Sequence, residues 1–339
     1  MTRPGKGELA KYWSLNPDTV FLNHGSFGAT PTYILDEQTK IRNRIEEDPV
    51  RFFERDYIPL MKESRESLAE FLNAEVNGMT FVKNATEGVN TVLRSIELKA
   101  GDEVIVPNHS YQACWNAVDF VTERSGAKTV VVEIPFRLES EEEIIDLILD
   151  KVTDRTVLAL IDTVTSPTGL RMPFEKLVSE LQEKGVDVLL DAAHGPGIVP
   201  LDLAALDVAY CTGNCHKWIC TPKGSAFLHI REDRKSRVRP LVIGHGASLE
   251  GTEQERFEFE FGWSGTQDPS PWLCIPKAID HIGKMVDGGW PEIIRLNRDL
   301  VLRGREVICE ALGTKPPVPE SMVASIASVE MPEGGEVGA

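Results

Sequence analysis

"AYCTGNCHKWICTPKGSAFLHI", residues 209–230, is the stretch on which the reading of this chain turns. An apolar run ends in Asn214-Cys215-His216-Lys217-Trp218, and a second apolar run, "SAFLHI", follows a short break. Lys217 is flanked by Trp218 and Ile219. Desolvation there disfavours the ammonium form, lowers the amine's pKa and makes it a nucleophile towards aldehydes. The alternative is a surface lysine that lays its stem on apolar neighbours and keeps its head in water. The stretch alone leaves both readings open.

Working outward, the preceding segments alternate in kind. "TFVKN", "DEVIVPNHS", "KTVVVEI", "TVLALIDTV", "VDVLLDAAHG", "LDVAYCTG" and "SAFLHI" are short, nearly continuous apolar runs that predict strands. Between them, "YQACWNAVDFVTERSG", "SEEEIIDLILDKV" and "PFEKLVSELQEKG" predict helices, the first ending at Gly126, the second acidic in its first turn as the helix dipole favours. Two charged helices come earlier, around "RNRIEED" and "KESRESLAEFLN". Strand and helix in alternation give βαβ units and a mostly parallel sheet covered on both faces. In such sheets ligands sit beyond the carboxyl ends of the strands. After Gly288 a long helical pattern, "GWPEIIRLNRDLVLRGREVICEAL", leads to a strand-like "MVASIASVEM" and then "PEGGEVGA".

Three strand ends carry chemistry. Asn84-Ala85-Thr86-Glu87-Gly88 opens a helix after the first strand, and is either an anion site made of helix-start amides and a hydroxyl or an ordinary Asn/Thr cap. Asp191-Ala192-Ala193-His194 follows "VDVLL"; a buried Asp needs a cation or several donors, so it reads as a metal ligand, a general base, the counter-ion of a protonated ring nitrogen, or a helix cap. Lys217 is the third. Together and in this order, a phosphate-binding helix start, an acid and a reactive amine are what pyridoxal 5'-phosphate requires.

Bulk properties agree. The 339 residues carry a net charge of −17, with 42% hydrophobic and 26% charged residues. That balance is ordinary for a globular enzyme and repels phosphate backbones and anionic membranes, so neither nucleic acid nor membrane is expected as a partner. No run of about 18 apolar residues occurs. "MTRPGKGELAKYW" lacks the apolar core of a secretory signal, and two glycosylation-like triplets, at Asn84 and Asn108, carry little weight without one. Cys114, Cys211, Cys215, Cys220, Cys274 and Cys309 match no zinc spacing and are too sparse for a disulfide framework, which predicts reduced thiols, no metal site and a cytoplasmic protein.

Seven stretches spread over roughly residues 12 to 280 resemble the class V aminotransferase branch of fold-type I pyridoxal-phosphate enzymes, most of all its isopenicillin N epimerase-like members. They are "FLNHGSFGATP" (21–31), "FVKNATEGVN" (81–90), "NHSYQACWNAV" (108–118), "TSPTGLRMP" (165–173), "DAAHGPG" (191–197), "GNCHKW" (213–218) and "GTQDPSPWL" (265–273). The resemblance implies an α/β fold with a large cofactor domain over residues 20–275. It also implies a smaller α+β domain from 1–19 and 276–339, shortened at its C-terminal side. It implies an aldimine between the cofactor and Lys217, with Asp191 at the ring nitrogen, His194 at the ring hydroxyl and Tyr111 against the ring face. Ala85, Thr86, Asn214 and His216 would serve the phosphate, and Ser166 stands where many relatives have Asn. Thr266 would reach the phosphate of a neighbouring subunit, so a homodimer with shared sites is implied.

Two departures follow from the same comparison. The chain has no arginine after Arg305, so the late arginine with which relatives bind the substrate carboxylate lacks a counterpart; Asn23 and Arg51 are the candidates to replace it. The last cysteine, Cys309, lies in an amphipathic helix, which disfavours desulfurase chemistry. The implied activity is at the Cα of an amino acid or its conjugate: epimerase or racemase first, a carbon–sulfur lyase acting on a cysteine or cysteine sulfoxide conjugate second, transamination third. A non-catalytic cofactor-binding fragment is the remaining alternative.

Overall fold

The computed structural model describes residues 7–331; the "PEGGEVGA" stretch lies outside them. The seven predicted strands form one sheet: β1 (Met79–Val82), β2 (Glu103–Pro107), β3 (Lys128–Val132), β4 (Thr156–Asp162), β5 (Asp187–Ala192), β6 (Tyr210–Asn214) and β7 (Ala226–Ile230). Their order is β1-β7-β6-β5-β4-β2-β3. β2 pairs in parallel with β3 and β4, β4 with β5, and β5 with β6. β7 is antiparallel to both β6 and β1, so it alone runs against the rest. The carboxyl ends of the other strands therefore gather on one edge.

Among the described residues, twelve α-helical segments surround the sheet: α1 (Thr32–Glu47), α2 (Pro49–Arg51), α3 (Tyr57–Phe71), α4 (Ala85–Ser95), α5 (Gln112–Ser125), α6 (Glu141–Leu149), α7 (Phe174–Glu183), α8 (Leu203–Leu206), α9 (Glu253–Gly262), α10 (Ser270–Leu273), α11 (Ile275–Gly283) and α12 (Gly289–Leu312). Sequence features set several boundaries. The Ser140–Glu143 capping box starts α6. Gly126, at φ 74, ends α5 where the sequence predicts.

The pleat sorts the strands' apolar residues onto two faces. Ile105, Ala159, Ile161, Val188 and Leu190 pack with α3 and α7 on one side. Val104, Val106, Leu158, Leu160 and Leu189 pack with Val89 and Val92 of α4 and Cys114 and Val118 of α5 on the other. Each large aliphatic side chain buried this way contributes about 2 kcal/mol. α4 comes close to β6 because residue 88 is glycine; a Cβ there would collide with the Thr212 side chain. That contact sets the start of α4 beside the end of β6.

One predicted element is corrected. "MVASIASVEM" begins in the tight turn Glu320–Met322, after which it makes a single bridge, Val323 to Leu170, and no ladder. An extended segment becomes a strand only with a partner strand to satisfy its amides, and among the described residues it has just that one bridge. Cys309 is buried in α12 as a core thiol, as the helical pattern implies.

Candidate active site

Lys217 sits in the turn between β6 and β7, half-buried among three rings. Its Nζ lies 2.9 Å from His194 Nε2, and the Trp218 indole N–H donates to His194 Nδ1 at 3.3 Å. An indole nitrogen only donates, so Nδ1 carries no proton. The neutral imidazole then holds its proton on Nε2 and donates it to Lys217, which must present a lone pair. The local electrostatics point the same way. Burial lowers the Lys217 pKa, partly offset by Asp191, then Cys114 and Asp162. Burial, then any charge on Lys217, lowers His194 to about 3. Lys217 is thus held as a free amine by its own neighbours.

The loop of the "FLNHGSFGATP" stretch, in which the sequence singled out only Asn23 for a role, closes over this turn. His24 Nε2 donates to the Lys217 carbonyl at 2.9 Å, and its ring lies 5.3 Å from that of Trp218. Gly28 makes the approach possible, since a Cβ there would collide with the His216 and Lys217 carbonyl oxygens. Asn23 caps its own turn by accepting from the Ser26 amide at 3.1 Å.

Asp191 ends β5 and is 3% exposed. Its Oδ1 accepts from the Ala193 amide at 2.9 Å and its Oδ2 from the Cys114 thiol at 3.3 Å. A thiol is a weak donor. Burial raises the Asp191 pKa, against the lowering effects of those two donors and Lys217. A buried carboxylate with one good donor and one weak one has capacity for a charged donor, which a protonated pyridine nitrogen supplies.

The start of α4 meets the end of β6. Asn84 caps the helix by accepting from the Glu87 amide at 2.8 Å, and Asn214 Oδ1 accepts from the Ala85 amide at 2.9 Å. The Ala85 donor is therefore engaged, and the next helix-start amide, that of Thr86, and its hydroxyl are the groups placed to receive an anion. His216 Nδ1 donates to the Ser225 carbonyl at 2.7 Å. Burial, then Lys217 and Lys223, hold His216 towards its neutral form, against the raising effect of that carbonyl. An adjacent phosphate acts in the opposite sense and can recruit a proton to Nε2. The residues present thus fit pyridoxal 5'-phosphate at both the ring and the phosphate end.

Tyr111, 46% exposed, is the residue before the first turn of α5. Ser166 lies half-buried in the turn closed by the Val164–Arg171 bridge. Two proposed residues lie elsewhere. Thr266 is exposed on the wall of a separate cavity of about 520 Å³, lined among others by Phe53, Tyr57, Trp263 and Trp272. Arg51 is exposed on α2, next to Val50 of the same cavity wall. Sequence reasoning missed His24, Trp218's role as a donor, and the buried set Ser110, Cys114 and Asp162. The "IDTVTSP" run does hold an acid at a strand end, a signal of the same kind as Asp191.

The aminotransferase class-V family model matches residues 49–303. Isopenicillin N epimerase of Amycolatopsis lactamdurans is 32% identical over 321 residues, 90% of this chain and 79% of that protein. A probable chloroplastic L-cysteine desulfhydrase of Arabidopsis thaliana is also 32% identical, over 94% of this chain and 69% of that protein. Among solved structures, a variant of C-DES with glycine covalently linked to its PLP cofactor superposes with a TM-score of 0.75 at 20% identity, covering 91% of this chain and 80% of that one. Among the described residues no helix is long and apolar enough to cross a membrane. With the sheet, the strand-end cluster and these similarities in hand, the chain belongs to the class V aminotransferase family, fold-type I enzymes that depend on pyridoxal 5'-phosphate.

Proposed function

We propose that this enzyme acts at the Cα of an amino acid or amino-acid conjugate and inverts that centre, as an epimerase or racemase. The observation that carries the reading is the Lys217 amine, held as a lone-pair donor by His194 and Trp218 beside the buried Asp191. Bound pyridoxal phosphate supplies an aldehyde that condenses with amines and a protonated ring that withdraws electrons from Cα. Asp191 keeps the ring nitrogen protonated, and burial strengthens that interaction. Lys217 would hold the cofactor through its aldehyde and, as a free amine, would take the Cα proton as general base. His194 orients Lys217 and faces the ring hydroxyl. Thr86 and His216 would anchor the phosphate end, Asn214 holds the start of α4 in place through the Ala85 amide, and Ser166 would be a further cofactor contact. Tyr111, exposed at the start of α5, returns a proton on the other face and so completes inversion.

The separate position of Thr266 supports a homodimer in which it reaches the partner's phosphate site. Arg51 lies in the same region, so it would bind a substrate carboxylate across the dimer, whereas Asn23 would do so within its own chain. The second reading is a carbon–sulfur lyase, favoured by the equal identity to a cysteine desulfhydrase. The loaded enzyme, given amino acids and cysteine conjugates in deuterated water, separates the two. Epimerisation yields Cα deuterium and inverted substrate; a lyase releases pyruvate and ammonia. Absence of any Cα–H exchange would sink both.

A further inference from the structure

Asp162 ends β4 directly beside Asp191, the two being Cα partners in the parallel ladder. Cα partners in a ladder point to the same face, here that of Leu160, Leu189 and α5. Both residues are 3% exposed. Two carboxyl groups side by side in an apolar layer cannot both ionise when the basic group facing them is Lys217, itself held towards its free amine. The groups facing the pair are that Lys217 from the turn after β6 and the Cys114 thiol from α5.

The donors are divided unequally. Asp191 accepts from a backbone amide and a thiol. Asp162 accepts from one hydroxyl, Ser110 Oγ, at 2.7 Å. An anion is better held where more donors point at it, so the shared proton belongs on the other member. We propose that Asp162 is a positioning residue that keeps this proton, leaving Asp191 as the single negative charge directed into the site. Its contact with Ser110 has a second consequence: it ties down the turn immediately before Tyr111. Burial and the adjacent Asp191 both push the Asp162 carboxyl well above the usual carboxylate range, with Ser110 and Lys217 opposing.

This inference rests on the reading of Asp191 as the ring-nitrogen partner, but its signature lies in the protein itself. Infrared spectra of the full chain at neutral pH, with and without cofactor, should show a protonated-carboxyl C=O stretch that disappears in Asp162→Asn. Ser110→Ala should move that stretch to higher wavenumber, because the carbonyl oxygen loses its donor. Asn resembles a neutral acid in shape and charge. Its cost to Cα–H exchange should therefore be smaller than that of Asp191→Asn by roughly tenfold or more. No carboxyl band assignable to Asp162, or equal losses in the two Asn variants, overturns the proposal. If Asp162→Asn does not fold, Ser110→Ala decides, and an unmoved band counts against Asp162 as the proton's holder. Failure of Lys217 to capture cofactor at all would instead refute the proposed function, while the infrared band would still report on Asp162.

Discussion

The Lys217 cluster and the Thr266 region are built in opposite ways. Around Lys217 the chain satisfies itself: Lys217, His194 and Trp218 are hydrogen-bonded in one set, and Asp191, Ala193 and Cys114 in a second, all within one chain. Around Thr266 the chain stops short. A cavity of about 520 Å³ with aromatic walls lies open there, and Val50 and Ile58 on its rim are exposed. Reactive groups need preorganised neighbours and little water, which one rigid sheet edge provides. A residue that serves a partner's site must remain reachable from outside. The contrast teaches that the candidate reactive groups are arranged within one chain, while completion of the phosphate site is proposed to be an interchain matter.

Four experiments press on this contrast. The largest effect is expected for Lys217→Ala, which should lose the visible absorbance band of the bound cofactor and nearly all activity. A reducible covalent cofactor adduct surviving in that variant would show that another lysine is the anchor. Next, Asp191→Asn should keep cofactor but slow Cα–H exchange by about a thousandfold, the scale of removing one member of a buried charged pair worth about 4 kcal/mol. Near-normal deuterium incorporation would remove Asp191 from the mechanism.

Trp218→Phe sharpens the intrachain half. Without the indole donor, His194 is free to change tautomer, and the Lys217 ammonium regains an acceptor. Its pKa should rise, so less neutral amine is present at a given pH below it. Cofactor capture at neutral pH should slow about fivefold, the worth of one hydrogen bond of about 1 kcal/mol, and recover as pH is raised. A capture rate whose pH profile is unchanged from wild type would refute the tautomer argument. The smallest effect tests the interchain half. Thr266→Ala should weaken cofactor affinity by about 1 kcal/mol. Mixing it with Lys217→Ala under subunit exchange should restore part of the lost activity, because one of the two hybrid sites keeps both residues. A monomer in sedimentation that binds cofactor tightly, or mixtures that never recover, would end the shared-site model.

The candidate groups that the sequence offers are those whose chemistry is announced by local context. Lys217 follows an apolar run and precedes Trp218, Asp191 closes a continuous apolar strand, and Asn84 to Gly88 open a helix. Period and composition act over a few residues, so strands, helices and strand ends were legible from them, as was the sheet's mostly parallel character; the cofactor was read from the three strand-end groups taken together. What stayed hidden depends on residues far apart in the chain. Asn214 takes the Ala85 amide across 129 positions, and His24 donates to the Lys217 carbonyl across 193. The "MVASIASVEM" segment looked like a strand because alternation reports burial, whereas pairing needs a neighbour that only the fold supplies. Asp162 and Asp191 lie 29 residues apart in sequence. Only the β4–β5 register makes them one two-carboxyl unit, and only their unequal donors say which of them carries the charge. Sequence determined which reactive groups the strand ends offer. Tertiary structure decided their protonation, because burial and donor geometry, not residue type, set the free energy of a charge.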